Sequence, residues 1–439
     1  MVSTTPEYDC IVIGGGPAGS TAAAVLAEKG RRVLILEKEK FPRYKVGESL
    51  LPYCYFTLER LGVARKIARS DFVRKYSVQF VDTDGHVSQP FYFFQHLHHA
   101  ASRTWQVVRS DFDQMLLDNA REKGADVMEQ TTARHLLRSN GAVEGVAAAL
   151  SDGRQLELRA PMTIDASGRD AFSVNRQEWK IRDPNLQKIS IWNYYKGALR
   201  DDGLDEGATT VAYLPGKGWF WYIPLANDTV SVGVVAERDY LYRDGKNPET
   251  VFQREAHVNP WIRRHLAPGQ VVGPYRVTGD YSYTSRYCAA DGLVLVGDAL
   301  GFLDPVFSSG VFLALRGGEM AGDAVDSALE SGDTSGERFA AYGRDLYAGI
   351  ETMRKLVYAF YSEAFSFGKL MRAHPDLGGD LTDCLIGNLF RDFDRLFHAV
   401  GESVDMPAAP GGPPGVLGGG DQDPVTHDRG AAKHPIADR

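Results

Sequence analysis

The stretch Ile11-Val12-Ile13-Gly14-Gly15-Gly16-Pro17-Ala18-Gly19 decides the fold of this chain. Its β-branched start predicts a short buried strand, and the alanine-rich run STAAAVLAEKG that follows predicts a helix. The glycines match the GxGxxG turn of a nucleotide-binding unit: the first for a tight turn, the second for close approach to a pyrophosphate, the third for helix–strand packing. The free N–H groups at the helix start favour an anion. We therefore predict an α/β, Rossmann-like fold in which Gly14, Gly16, Ala18 and Gly19 hold a dinucleotide.

A second strand completes this nucleotide unit. The apolar run Val33-Leu34-Ile35-Leu36 ends in Glu37, where a carboxylate can accept hydrogen bonds from ribose hydroxyls. An acid at this place disfavours NADP, because a 2′-phosphate prefers an arginine. The motif by itself is compatible with both FAD and NAD.

Composition argues against several other kinds of site and partner. The 439 residues include 49 basic and 57 acidic side chains, a net charge of −8 without a basic block, so nucleic acid is not an expected partner. The start lacks the basic and apolar regions of a signal peptide, and no apolar run approaches the ~18 residues that span a bilayer. We expect a cytoplasmic protein. Scattered cysteines, and a histidine cluster at 96–99 without an acidic or cysteine partner, predict neither disulfide nor metal site.

The segment GWFWYIPL at 218–225 is unusually aromatic. If it is a strand, Trp219, Trp221 and Ile223 share one face, and Phe220 and Tyr222 share the other. Each indole can cover roughly 150–250 Å², so the first face would be a bulky apolar wall beside a ligand. The alternative interpretation is an ordinary aromatic core strand.

Three segments resemble the FAD oxidoreductase family related to p-hydroxybenzoate hydroxylase. They are DASGR at 165–169, LVLVGDA at 293–299 and VVRSDFD at 107–113. In that family the aspartate of the Gly-Asp pair binds the ribityl–pyrophosphate part of FAD, and the arginine lies on the flavin side. The resemblance implies FAD as the cofactor, with Asp298 and Arg109 among its ligands.

Three more segments resemble flavin-dependent halogenases, closely the branch that acts on phenolic and pyrrolic substrates. They are FPRYKVGESLLP at 41–52, the WxWxIP pattern at 218–225 and DPVFSSGV at 304–311. The resemblance implies an FADH2- and O2-dependent enzyme of natural-product biosynthesis that forms hypohalous acid from chloride or bromide at the flavin. A lysine then delivers the oxidant to an electron-rich phenol or pyrrole, free or bound to a carrier protein.

The same resemblance assigns the reactive positions. Lys75, three residues after Phe72, stands where such enzymes carry the catalytic lysine. Ser309 and Gly310 precede an apolar helical run and would bind the halide through backbone N–H groups near a helix start. Departures at Ser77, Val78 and Asp82 imply a different substrate cavity.

The remaining assignments concern the wall and the cofactor. A wall must keep substrate away from the flavin while the halide enters, and it would consist of Trp219, Trp221, Ile223 and Pro224. Further cofactor contacts are implied within the matching motifs for Arg43, Ser49 and Pro305.

Segments far apart in sequence must converge on one FAD. We predict a discontinuous FAD-binding domain at 8–63, 100–175 and 285–336, interleaved with a mainly β substrate layer at 64–99 and 176–284, where short alternating runs are separated by turn residues.

The C-terminal part divides in two. Apolar residues at helical spacing predict C-terminal helices over 337–404. The Pro/Gly-rich composition of 405–439 predicts a disordered tail.

The leading hypothesis is a halogenase that receives reduced flavin from a separate flavin reductase, because the sequence holds no second nucleotide fingerprint. Alternatives are an FAD-dependent monooxygenase or a prenyl-reductase-like oxidoreductase of the same superfamily. A further alternative is a flavoprotein that only binds a carrier protein.

Overall fold

The computed structural model describes residues 8–216, 218–279 and 282–418. Within these ranges, two large β-sheets and the helices around them form a mixed α/β fold, which confirms the predicted fold class. No helix in this part of the chain is long and apolar enough to cross a membrane.

The first sheet is built on the strand Cys10–Ile13. Each of its residues is buried, and it pairs in parallel with Val33–Leu36 and Met162–Asp165, as continuous apolar runs do in a sheet covered on both faces. In spatial order the seven strands described are Gly415–Leu417, Tyr287–Ala290, Leu293–Leu295, Met162–Asp165, Cys10–Ile13, Val33–Leu36 and Asp126–Met128.

The second sheet takes strands from both predicted insertions, 64–99 and 176–284. Most of its neighbours are antiparallel, and the pair Ser77–Val81 with Thr209–Leu214 is parallel. In spatial order the strands described are Gln270–Thr278, Lys188–Lys196, Thr229–Glu237, Gly218–Leu225, Thr209–Leu214, Ser77–Val81 and Phe91–Tyr92.

Smaller sheets and helices complete the described chain. The small sheets are Gln155–Arg159 with Ala142–Leu150 and Thr131–Ser139, Lys180–Arg182 with Tyr283–Ser285 and Gly301–Phe302, and Val73–Lys75 with Thr104–Gln106. The α-helices are Pro17–Glu28, Cys54–Arg60, Ala64–Ala68, Arg109–Glu122, Phe172–Arg176, Arg238–Leu241, Pro248–Val258, Pro260–Leu266, Ser309–Ser331, Ala340–Tyr361, Phe367–Ala373, Gly378–Ile386 and Asp394–Gly401.

The first helix packs tightly against the helix Ser309–Ser331. A Cβ at Gly318 would lie 2.4 Å from the carbonyl oxygen of Ala18, and one at Gly322 would lie 2.8 Å from a methyl carbon of Val25. These two glycines therefore let the later helix pack directly on the helix that follows the nucleotide turn.

The C-terminal part agrees with one expectation and corrects another. The predicted helical stripe is confirmed in Ala340–Tyr361, which buries Tyr342, Leu346, Met353, Val357 and Phe360. The expectation of a disordered tail is wrong for 415–417. There a short strand pairs in parallel with the edge strand Tyr287–Ala290, because the edge offers unpaired backbone groups and Val416 and Leu417 pack on the core. Residues 419–439 lie outside the described part.

Candidate active site

A cavity of about 1010 Å³ is lined by residues of both large sheets. Pockets for small molecules commonly enclose about 300–1,000 Å³, so this one has room for a dinucleotide. The glycine turn contributes to one part of its lining, and the strand Gly218–Leu225 contributes to another. The predicted nucleotide site and the predicted aromatic wall therefore face one space.

The glycine turn has the geometry that a dinucleotide requires. Gly14 has φ +104°, and a Cβ there would lie 2.4 Å from the carbonyl oxygen of Ala166. At Gly19 a Cβ would lie 1.9 Å from the carbonyl oxygen of Gly14. Only a glycine at this position lets the helix pack so closely against the turn. Gly14, Gly16 and Ala18 line the cavity, which leaves backbone open to a ligand.

Two arginines beside the turn share one buried carboxylate. Arg109 binds both oxygens of Asp113, at 2.8 and 2.9 Å, and Arg43 donates to the same carboxylate at 2.8 Å. Asp113 is fully buried, and both guanidinium groups line the cavity. The Nε–H of Arg43 is buried without a partner in the described part of the chain. Two guanidinium groups fixed by one carboxylate, with one N–H still unpaired, suit an anionic ligand such as a pyrophosphate.

Glu37 lines the cavity at the end of its strand and is 4% exposed. One of its carboxylate oxygens accepts from the N–H of Gly15 at 2.9 Å, and the other accepts from the N–H of Glu39 at 2.8 Å. The carboxylate is therefore fixed beside the glycine turn, and each oxygen keeps a lone pair for a ribose hydroxyl.

Asp298 lies in the turn after the strand Leu293–Leu295 and lines the cavity together with Pro305. Burial raises the pKa of its carboxyl to about 6, against the opposing charges of Arg169, Arg109 and Lys45. Taken together, the open glycine turn, the paired arginines and the two acids fit FAD as the occupant of this cavity.

The aromatic segment is a strand, and its predicted alternation is confirmed. Trp219, Trp221 and Ile223 line the cavity, whereas Phe220 and Tyr222 belong to a separate apolar cluster on the other face. By the same alternation Pro224 faces away, and it does not line the cavity. The wall therefore contains three of its four predicted members.

A third indole extends this wall. Trp192 lines the cavity, and its ring centre lies 6.3 Å from that of Trp221, which is 6.1 Å from that of Trp219. Gly233 is on the strand between them and is directly opposite Trp192 on one side and Trp221 on the other. A Cβ on Gly233 would lie 2.3 Å from the ring of Trp221, so the indoles meet only because this position has no side chain.

Hydrogen bonds tie the wall to the last residue of the helix Ala340–Tyr361. The indole N–H of Trp219 donates to the hydroxyl of Tyr361 at 2.9 Å, and that hydroxyl donates to the carboxylate of Asp304 at 2.7 Å. Asp304 is buried, and burial raises the pKa of its carboxyl to about 6. Asp304 also accepts from the N–H of Val306 at 3.2 Å, so the wall and the 304–311 segment are held by one network.

Ser309 and Gly310 are the first residues of the helix Ser309–Ser331 and line a second, very small cavity of about 10 Å³. That volume holds about one water-sized group. Gly310 also lines the large cavity, and a Cβ there would meet no atom within 4 Å. Ser308, just before the helix, has φ +56°, a conformation that costs a non-glycine residue about 1–2 kcal/mol. The helix start therefore opens toward the space that faces the wall.

Lys75 is buried and does not line the large cavity. Its ammonium donates to the hydroxyl of Ser49 at 2.8 Å and to the carbonyl oxygen of Leu50 at 3.2 Å. The Ser49 hydroxyl lies 2.8 Å from that of Thr209, and both of these residues line the cavity. Burial lowers the pKa of Lys75 from 10.5 to about 7. Lys75 is thus one hydrogen-bonded side chain away from the cavity.

Sequence reasoning missed several of these residues. Asp113 could have been found from its i, i+4 spacing to Arg109, which places the two side chains together on a helix. Trp192 could have been suspected from its aromatic strand, ISIWNYY. The link from Tyr361 to Asp304 has no local signal, because these residues are distant in sequence.

Comparisons with known proteins agree with this geometry. The family model for an FAD-binding domain matches residues 7–345. The 1H-pyrrole-2-carbonyl peptidyl-carrier protein brominase of Pseudoalteromonas luteoviolacea is 32% identical over 412 residues, which are 90% of this chain and 99% of the relative. The corresponding chlorinase of Pseudomonas fluorescens is 30% identical over 413 residues, covering 88% and 90% of the two chains.

A solved structure supports the same assignment. The flavin-dependent brominase Bmp2 superposes with a TM-score of 0.81 at 29% identity, over 90% of this chain and 98% of that one. Since the family model covers most of the chain and the relatives align over nearly their whole length, this protein belongs to the FAD-binding family and is a flavin-dependent halogenase.

Proposed function

We propose that this halogenase places chlorine or bromine on an electron-rich pyrrole or phenol ring, with a pyrrole tethered to a carrier protein as the favoured substrate. The two curated relatives described above act, by their names, on pyrrolyl groups of a peptidyl-carrier protein. The observation that carries the chemical part of the proposal is the buried Lys75, which is linked through Ser49 to a cavity walled by indoles.

FAD would be held by the glycine turn, Glu37, the arginine pair and Asp298. Bound in its reduced form, FAD would supply two of the four electrons that reduce dioxygen, and the halide would supply the other two as it becomes hypohalous acid. We propose that a separate flavin reductase provides the reduced cofactor, because the sequence has one nucleotide fingerprint.

The backbone N–H groups of Ser309 and Gly310 would hold the halide. An anion at a helix start is stabilised by about 0.3–1 kcal/mol at an exposed site and by more where water is excluded. The adjoining cavity of about 10 Å³ suits a small group, and chloride and bromide would both use the same donors.

The wall would separate the site of oxidation from the substrate. The indoles of Trp192, Trp219 and Trp221 are buried, and the ring of Trp221 lies next to each of the other two, so an aromatic substrate cannot occupy their place. Only a small oxidant would pass beyond them.

Lys75 would receive the oxidant and hold it for the substrate, by a hydrogen bond or as a haloamine. A buried lysine with a pKa of about 7 is partly neutral at physiological pH, and a neutral amine is nucleophilic. Its protonated form can donate a hydrogen bond. Both roles need the amine at a place that bulk water does not reach.

Bromination by the full-length protein tests the proposal directly. The protein is incubated with chemically reduced FAD, dioxygen and bromide, and with pyrrole-2-carbonyl carrier protein or the free acid. Mass spectrometry should show the paired isotope peaks of one bromine on the tethered substrate. Hydroxylation that does not need bromide would contradict the proposal, and bromination of the free acid alone would contradict the carrier-protein part.

Lys75→Ala should abolish bromination while FAD fluorescence quenching stays at the native level. Lys66→Ala is the matched control, because this exposed lysine pairs with Glu122 on the surface and lies nine positions earlier. Normal bromination by Lys75→Ala would show that the lysine has no part in the reaction.

A further inference from the structure

Glu48 is a buried acid on the wall of the large cavity, and none of the roles described so far uses it. It is 2% exposed and lines the cavity next to Ser49. The hydroxyl of Tyr194 donates to one of its carboxylate oxygens at 2.6 Å, and the N–H of Gly47 donates to the other at 3.2 Å. Burial raises the pKa of this carboxyl above its ordinary value.

A chain of hydroxyl groups leads away from Glu48. The hydroxyl oxygen of Tyr194 lies 3.2 Å from that of Tyr44, and the Tyr44 residue is 43% exposed. The indole N–H of Trp192 donates to the Tyr44 oxygen at 2.7 Å, which fixes this phenol against the wall. The two phenol rings meet edge to face at 6.0 Å.

The hydrogen bonds have one consistent direction. The single proton of the Tyr194 hydroxyl is given to Glu48 at the shorter contact, so the Tyr44 hydroxyl must be the donor between the two phenols. The Tyr44 oxygen then keeps a lone pair for a proton from water. Protons can therefore move stepwise from Tyr44 to Tyr194 and from Tyr194 to Glu48.

The proposed reaction needs such a supply. Reduced FAD, dioxygen, one halide ion, one proton and the substrate C–H are converted into oxidised FAD, the carbon–halogen product and two molecules of water. Dioxygen takes up four electrons. Two come from the reduced cofactor and two come from the halide, whose halogen atom becomes bonded to the substrate carbon. One proton per turnover must therefore enter a cavity that the cofactor would fill.

We propose that Glu48 is the proton-transfer group of this site and that Tyr194 and Tyr44 reload it from solvent. The inference rests on the proposed function for its chemistry and on the hydrogen-bond chain for its route. Two charged groups flank this chain of hydrogen bonds in the described part of the protein. Arg109 pairs with Asp113, and the guanidinium of Arg276 lies 4.3 Å from the ring centre of Tyr44 and 5.7 Å from that of Tyr194.

Glu48→Gln keeps the shape of the side chain and loses its acid, and Tyr194→Phe removes only the connecting hydroxyl. Tyr195→Phe is the matched control, because Tyr195 is the next residue of the same strand and its hydroxyl bonds to Tyr275 at 2.7 Å. General acid–base groups commonly contribute about 10²–10⁴-fold to a rate. We expect bromination to fall about 10²-fold in Glu48→Gln and about 10-fold in Tyr194→Phe, and to stay within about twofold in the control.

Infrared spectroscopy of the cofactor-free protein gives a second readout. As the pH is lowered, a C=O band of the protonated Glu48 carboxyl should appear at a higher pH than for an ordinary glutamate, because burial raises its pKa. This band should be absent in Glu48→Gln, shift in Tyr194→Phe and stay unchanged in Tyr195→Phe. FAD affinity, measured by fluorescence quenching, should be the same in all four proteins. Native turnover in Glu48→Gln, an unchanged band, or loss of FAD binding would each overturn the proposal.

The two proposals fail in different ways. If the native protein hydroxylates its substrate and never brominates it, the proposed function fails, while the infrared titration still reports on Glu48. If the native protein brominates and Glu48→Gln does so at the native rate, the proton route alone is refuted.

Discussion

Replacing Lys75 by methionine should change how the stability of this halogenase depends on pH. Lys75 is buried, and burial lowers its pKa from 10.5 to about 7. Methionine has a similar length and no charge, so the variant lacks the cost of burying an ammonium. The substitution therefore compares a desolvated cation with a neutral side chain at one place.

The sign follows from proton binding. Between pH 7 and 10.5 the unfolded lysine carries a proton that the folded one has lost, so raising the pH stabilises the native protein. The gain is about 1.4 kcal/mol per pH unit inside this window and fades below pH 7, where both states are protonated. From pH 7 to pH 9 the native protein should gain about 2 kcal/mol relative to Lys75→Met. Cys54, beside Lys75, has a pKa raised to about 12 and does not titrate there.

Urea unfolding at pH 7, 8 and 9, followed by tryptophan fluorescence and circular dichroism, measures this difference. Lys66→Met is the matched control, because Lys66 is half exposed and binds Glu122 at 2.6 Å. Exposed pairs of this kind contribute about 0–1 kcal/mol, and the control should show no trend with pH. A Lys75→Met difference that stays constant from pH 7 to 9 would refute the reasoning, since Lys75 would then titrate as an ordinary lysine.

Three further substitutions test other parts of the site. Gly233→Val places a side chain where a Cβ would already lie 2.3 Å from the ring of Trp221. Overpacking of about 1–3 kcal/mol should lower the melting temperature, and the disturbed wall should release hydrogen peroxide in place of halogenated product. A variant with the native melting temperature that forms product without releasing peroxide would contradict this. Tyr361→Phe removes the hydroxyl between an indole N–H and a buried carboxylate; a loss of about 1–3 kcal/mol in urea unfolding is expected, and an unchanged midpoint would show that this hydroxyl is dispensable. Gly14→Ala brings a Cβ within 2.4 Å of a carbonyl oxygen and should weaken FAD binding in fluorescence titration, whereas Gly30→Ala, also at positive φ but with no atom within 4 Å, should bind FAD normally; equal affinities would mean that the clash is relieved without disturbing the cofactor site.

Local patterns predicted much of the fold. The order strand, glycine turn, helix and second strand is encoded within the first forty residues, because each element depends on near neighbours. The alternation in GWFWYIPL also predicted which side chains share a face. The composition of the tail was a poorer guide, since residues 415–417 form a strand only through an edge supplied by Tyr287–Ala290.

Details of the site depended on pairs that are distant in sequence. Trp192 joins the wall because Gly233 lies beside it in the neighbouring strand and leaves room for the ring of Trp221. Lys75 was predicted on a resemblance, and its position behind Ser49 is visible only in the folded chain.

By itself, the sequence determined the nucleotide turn, the strand that carries the indoles and the helical period near the C-terminus, because backbone conformation and periodicity are set by neighbouring residues. Tertiary structure alone decided that the ammonium of Lys75 is desolvated and that the phenol of Tyr361 reaches Trp219. It also decided that Glu48 lies at the end of a chain of phenols. These properties depend on burial and on hydrogen bonds between segments up to about 150 residues apart, and only the packing of the whole folded chain fixes such distances.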